Sequence, residues 1–230
     1  MASMVIADLV DELIARTEGE FDSDQAIYAL NSAQNYVSSI CTPDLLMNMK
    51  TTGTVTLADG TGINGGGSAS LSSLNAVNNF YLSFTQQASP YMEYAIIDQQ
   101  KANKLRRSSF LTPKRTNPKA YLIGNTFYSI CSDDATGAPV VVVEYIGQPT
   151  EITSALYSGG TATVDFNSSL REPLLLMGES FLWRTDDELE RSNDAYNKAK
   201  DFLQGLNGIK TQNMKNDLET IQMNDMKEKA

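Results

Sequence analysis

Helical periodicity occupies both ends of this 230-residue chain, and a long stretch between them carries no helical pattern. From Met4 to Thr17, Val5, Ile6, Leu9, Val10, Leu13 and Ile14 fall on one face of a helix with acids opposite, and Gly19 stops it. A second helix opens at Phe21-Asp22-Ser23-Asp24-Gln25, with Asp22 or Ser23 as N-cap. Its stripe is Ile27, Leu30, Ala33, Val37 and Ile40, and Pro43 ends it. The short link between the two makes them antiparallel neighbours.

The pattern then changes. Thr51–Ser73 is rich in Gly, Thr and Ser and reads as a flexible loop flanking a short strand at Val55–Leu57. Its Gly65-Gly66-Gly67 lacks the lysine and helix of a phosphate-binding loop. Strand-like runs follow at Phe80–Thr85, Ala120–Gly124, Thr126–Ile130, Pro139–Ile146 and Thr161–Phe166. Gly124-Asn125 sits where a hairpin turn belongs, and Val140–Val143 is a β-branched run suited to a buried strand. Tyr91–Asn103 fits either strand or helix.

Helices return near the C-terminus. Ser168 or Ser169 can cap one with Pro173 in its first turn and Leu174, Met177, Phe181 and Leu182 along one side. Asp186 or Asp187 opens the next, with Leu189, Ala195, Ala199 and Phe202 apolar and Gly205 and Gly208 marking its end. The expected fold is α+β. Residues 1–48 and 168–205 form an antiparallel helix bundle, 49–167 an inserted antiparallel β domain, and 206–230 an extended C-terminal docking tail.

That tail carries Met214, Leu218 and Ile221 at helical spacing, with Met223 and Met226 nearby. Its four lysines balance four acids, so net charge does not hold it to anything. A stripe with nothing of its own to pack against points to a partner chain on which it orders, the alternative being a frayed terminus. Methionine suits such an irregular contact.

Composition narrows the function. The chain contains no histidine, which removes the commonest general base and zinc ligand. Cys41 and Cys131 have no metal-like spacing and read as two buried free thiols. A net charge of −10 opposes binding to nucleic acid or anionic lipid. No apolar run is long enough to span a bilayer, and Met1–Leu13 lacks the basic start of a secretion signal. No cofactor is expected. Against the acidic background, Lys101, Lys104, Arg106, Arg107, Lys114, Arg115 and Lys119 form a run with no acid among them. It is a solvated loop, a contact for an acidic protein face, or a contact for DNA phosphate. Asp186, Asp187, Glu188 and Glu190 read as an acidic helix start stabilised by the helix dipole, or as a repulsive channel lining. Trp183 belongs to the bundle core or to a contact between subunits.

Four segments resemble the head-to-tail adaptor proteins of tailed bacteriophages. They are Phe21–Gln25 leading into Ile27-Tyr28-Ala29-Leu30-Asn31-Ser32-Ala33-Gln34, Pro118–Phe127, Val143–Pro149, and the helix pair Arg171–Phe202. They occur in the family's order and touch most of the chain. The resemblance implies a non-enzymatic virion protein that forms a dodecameric ring beneath the portal protein. That ring extends the DNA channel without sequence-specific binding and meets a downstream tail or nozzle protein. It also implies that the C-terminal segment inserts between portal subunits, so Met214, Leu218, Ile221, Met223 and Met226 become portal-docking residues. Its location is the virion neck, reached after assembly in the host cytoplasm. The large β insertion departs from the simplest members. Residues 1–42 set seven acids against Arg16, net −6, and suit a basic neighbour such as the 101–119 run. Two other readings stand beside this one: another virion component, such as a tail-completion or capsid-binding protein, and a carboxylate-based hydrolase whose β domain binds carbohydrate. The last needs a paired-carboxylate cleft that no spacing here supplies.

Overall fold

The computed structural model describes residues 4–58, 67–87, 91–106, 113, 116–130 and 140–227, the last stretch by backbone alone from 209 onward. In chain order the elements are α1 (Ile6–Arg16), α2 (Ser23–Ile40), β1 (Lys50–Thr56), β2 (Ser68–Ser70), β3 (Ala76–Gln86), β4 (Ala95–Ile96), α3 (Gln99–Arg106), β5 (Lys119–Ile123), β6 (Thr126–Ile130), β7 (Val140–Gly147), α4 (Ser154–Ser158), α5 (Arg171–Thr185) and α6 (Leu189–Lys227), with short 3₁₀ turns between. The fold is α+β, and the chain divides into a helical unit, residues 1–48 with 149–230, and a β unit, residues 49–148.

In the helical unit, α1 buries Ile6, Leu9, Val10 and Leu13 of its expected stripe, with Val5 and Ile14 half-buried, and α2 buries Ile27, Leu30, Ala33 and Val37, whereas Ile40, in the last position of that helix, is exposed. Asp22 caps α2 in a full capping box: its Oδ1 accepts from the Gln25 amide at 2.9 Å, and the Gln25 side chain accepts from the Asp22 amide at 3.0 Å. The expected one-sided α5 is buried nearly all round, including Leu175, Leu176, Gly178 and Trp183, because α1, α2 and α6 all pack on it. Asn167, not Ser168 or Ser169, caps the turn leading into α5, its Oδ1 accepting from the Ser169 amide. Trp183 is in the core, edge-on to Phe21 at 5.4 Å, with the Arg191 guanidinium 4.6 Å over its ring.

An ion network clips α1 to α5. Arg16 grips Glu172 with two nitrogens at 2.8 and 2.6 Å and reaches Glu12, which also pairs with Arg171. The Arg171 hydrogen bond, helped by Arg16, holds the Glu12 carboxyl below the usual range. A depressed carboxyl stabilises the fold above its unfolded-state pKa and loses that contribution as pH falls through the folded value. Arg16→Met should therefore cost on the order of 1–2 kcal/mol at neutral pH, since the contact is bidentate and only part-exposed. It should also flatten the acid limb of the stability curve in part, since Arg171, the larger cause of the lowered Glu12 carboxyl, stays in place. Urea titrations of both proteins between neutral and acid pH check this, and an unchanged acid limb would contradict it.

The inserted unit is shorter than the expected 49–167. Residues 149–167 belong with the helices because they are fastened there. The Asn31 side-chain amide exchanges two 2.8 Å hydrogen bonds with the backbone of Ile152. The Ile6 amide donates to Ala162, and the Val164 amide donates to Met4. The strand expected at Thr161–Phe166 is a single bridge, Val5 to Thr163. Asn31 and Gln34 of the Leu-Asn-x-Ala-Gln motif thus act as a clasp on the returning chain, Gln34 also donating to the Thr150 carbonyl at 3.5 Å.

The β unit contains two sheets, β1-β7-β3 and β2-β6-β5-β4. All pairings are antiparallel except β4 with β5. The hairpin joining β5 and β6 turns at Gly124-Asn125 with positive φ only at Gly124, the pattern of a II′ turn. Phe84 of one sheet stacks on Phe127 of the other at 4.7 Å, inside a core that includes Val141 and Val143. The stretch read as a flexible loop contains β1 and β2. Threonines 51, 52 and 54 pair with β7, a partner about ninety positions away in sequence that no local pattern reveals. Residues 59–66, including Gly65 and Gly66, lie outside the described residues. At Gly67 a Cβ would stand 2.6 Å from the Ala58 carbonyl oxygen, so that glycine permits the close approach bridging Ala58 to Ser68.

Gln86 is fully buried in this unit, and its side-chain amide nitrogen and oxygen have no hydrogen-bond partner among the described residues. Each such group costs about 1–3 kcal/mol when desolvated and unpaired. The near-isosteric Gln86→Met should stabilise the β unit by at least about 1 kcal/mol, a rise of about 4–8 °C for a domain of this size. Calorimetry decides it, and a lowered midpoint would mean the amide is satisfied by internal water.

Candidate functional site

Among the described residues no group of three or more His, Cys, Asp or Glu side chains could hold a metal ion. None of the described helices is long and apolar enough to cross a membrane. Cys41, at the end of α2, is buried, which pushes its thiol up to about 12 and makes it a poor nucleophile. Cys131 lies outside the described residues. What the molecule offers instead is a set of surfaces.

The first is the end of α6. Gly205 and Gly208 do not stop this helix, which runs without interruption to Lys227. Each glycine costs about 1 kcal/mol relative to alanine, but good helix formers surround them. The helix is also anchored at this point: the Asn207 side chain accepts from the Thr42 amide and donates to the Ile40 carbonyl, both at 3.3 Å, where α2 ends. Along α6, Ser192, Ala195, Ala199 and Leu203 are buried. Continuing the same three- and four-residue steps leads to positions 206, 210, 214, 218 and 221, interrupted only by Lys210. The expected docking positions 214, 218 and 221 thus lie on the extension of the buried face of α6, the helix that packs on α5 further back. At 1.5 Å per residue, α6 is about 58 Å long and α5 about 22 Å, and some 30 Å of α6 follows the Asn207 anchor. The side chains of Met214, Leu218, Ile221, Met223 and Met226 lie outside the described residues.

The second surface is basic. Lys101 and Lys104 stand exposed one turn apart on α3, which is pinned underneath by fully buried Ala102 packing with Tyr121 and Ile130. The Asp98 carboxylate accepts from the Lys101 amide at 2.7 Å and starts the helix. Arg106 ends it. Lys119 begins β5, half-buried opposite Ile130. Arg107, Lys114 and Arg115, and the side chain of Arg106, lie outside the described residues. Of those whose side chains are described, Lys101 and Lys104 share one exposed stretch of α3, and Lys119 stands on β5.

The third surface is acidic and contains a groove. Asp22, Asp24, Gln25, Tyr28, Ala29 and Ser32 of α2 face Phe181, Leu182, Arg184 and Thr185 of α5 across an open cavity of about 500 Å³. Phe181, expected in the core, forms part of its wall and is only half-buried. Tyr28 is 71 % exposed. The sequence carries a trace of this groove: a large aromatic at position 28 that falls off the stripe Ile27, Leu30, Ala33. The turn beyond Thr185 adds exposed Asp186, Asp187 and Glu188, with α6 starting only at Leu189, so this end of the bundle is strongly acidic.

No protein-family model matches the chain, and a search of curated proteins found no match either.

Proposed function

We propose that this chain is a structural virion protein, an adaptor that forms a ring beneath a phage portal, joins head to tail and extends the DNA channel. It is not an enzyme. The observation that carries this reading is the single helix α6, which belongs to the bundle in its first half and outruns it in its second. That arrangement suits a rigid body that delivers an amphipathic probe to a second protein, here the portal. The compact helical unit supplies the body, with its ends closed by the Asp22 capping box and the Asn31 clasp. The separate β unit supplies a module for a neighbouring copy or a downstream tail component. The ordered resemblance of four segments to phage adaptors supports the same assignment. A ring of this kind repeats one heterologous contact, so each copy presents two different complementary faces. An acidic helical end and a basic α3 are such a pair. The surplus of negative charge weakens association of free copies at ordinary concentration, and the portal, by templating them, favours the ring.

The experiment is native mass spectrometry of the purified chain with the portal ring encoded in the same genome. The proposal expects a single complex of defined stoichiometry, a dodecamer of adaptor on the portal. Failure to bind at any ratio would overturn it.

A further inference from the structure

The α2–α5 groove has an apolar floor and an acidic surround, and nothing described in the helical unit fills it. Its wall at Phe181 and the outward Tyr28 ring would gain from being covered. Exposed Asp22 and Asp24 edge it on one side. Arg184 stands on the other, next to Asp186, Asp187 and Glu188, which outnumber it. An occupant complementary to this site carries an apolar contact beside two or more positive charges.

We infer that the groove receives the basic helix α3 of a second copy of this chain. In α3, Lys101 and Lys104 are exposed with no ion-pair partner among the described residues, and Leu105 beside them is only half-buried. The fit is one of charge and of exposed apolar surface: two ammonium groups one turn apart meet the carboxylates of the first turn of α2, and Leu105 comes against Tyr28. Asp22 already caps its own helix and one oxygen of Asp24 accepts from Ser154, yet both residues are exposed, and these bonds use only one carboxylate oxygen of each. The contact is heterologous, since groove and helix are different surfaces, so repeating it builds a ring or a filament and not a closed pair. Rim charges of this kind set register and partner choice more than raw affinity. The inference rests on the ring-forming part of the proposed function.

The test is carbodiimide coupling, which joins a carboxylate to an ammonium only where they touch. An equal mixture of unlabelled and ¹⁵N-labelled full chain is coupled at high concentration and low salt, and the joined peptides are identified by mass. The expected result is mixed-isotope peptides linking Lys101 or Lys104 to Asp22 or Asp24. K101E/K104E should lower the yield of coupled dimer by about tenfold or more, and adding D24K to that variant should restore non-covalent dimer in sedimentation. Tyr28→Ala, at a position too exposed to affect folding, should lower coupling while leaving thermal unfolding unchanged. Links from these lysines to other sites, links within one copy only, or no coupled dimer would each overturn the inference. A ring that forms on the portal while links map elsewhere sinks this contact alone. Links here without portal binding sink the adaptor reading alone.

Discussion

On the adaptor reading, truncating the chain after Gly208 is expected to abolish portal binding and leave the folded body intact. The last buried side chain described on α6 is Leu203, and the last anchoring contact is made by Asn207, so the cut removes nothing the bundle rests on. Stability should stay within about 0.5 kcal/mol of the full chain. Binding should fall by more than about a hundredfold. Positions 214, 218 and 221 each offer about 1.5–3 kcal/mol when fully buried, against about 1.4 kcal/mol per decade of affinity. A tail with neutral net charge has no long-range attraction to compensate. Some twenty residues of solvated helix are marginal alone, so part of the gross gain goes into holding α6 straight. Single substitutions Leu218→Ala and Ile221→Ala should each account for a share of the loss, whereas Lys215→Ala should not. If the truncated chain docks as tightly as the full one, the anchor lies elsewhere.

The largest effect on folding is expected at the point where three helices meet. Leu13 of α1 is fully buried, and its Cδ2 lies 3.0 Å from where a Cβ would stand on Gly178 of α5, with Leu30 of α2 at 3.5 Å. The absence of a side chain at 178 lets two leucines rest on the α5 backbone. Leu13→Ala should cost about 3–5 kcal/mol, since a close-packed site of this kind collapses poorly. Gly178→Ala alone gains about 1 kcal/mol of helix propensity but presses a methyl into Leu13. In the Leu13→Ala background the same methyl enters vacated space, so the two changes should couple favourably by at least about 0.5 kcal/mol. A four-protein denaturation cycle measures this, and strict additivity would mean that Leu13 and Gly178 do not share the site.

These contacts also mark what the sequence makes legible. The buried faces of α1 and α2 follow from 3.6-residue periodicity, and the β5–β6 hairpin follows from Gly124-Asn125 between two β-rich runs. Both are local patterns, governed by residues a few positions apart. Pairing of threonines 51, 52 and 54 with β7 is not local, which is why a Thr- and Gly-rich strand looked like loop. The limit of the inserted unit depended on Asn31, whose amide binds a segment 121 positions away. At Gly205 and Gly208 the ordinary stop signal misleads, because the Asn207 contacts to α2 hold the backbone helical between them. Of the candidate site, the apolar spacing of positions 214, 218 and 221 was visible, but its continuity with the buried face of α6 required the helix. The basic run was visible as a run, and only the fold separates Lys101 and Lys104 on α3 from Lys119 on β5. The groove between α2 and α5 requires two helices to be side by side, and Tyr28 alone hinted at it.

The adaptor reading stands or falls on where this chain sits in a virion. Cryo-electron microscopy of the virion in which this reading places the chain, reconstructed at the portal vertex, is the most direct measurement. The account predicts a ring of copies directly beneath the portal, with the second half of α6 inserted between portal subunits and the helical unit surrounding the DNA channel. A vertex in which this chain is absent, or in which its C-terminal helix points away from the portal, would contradict it.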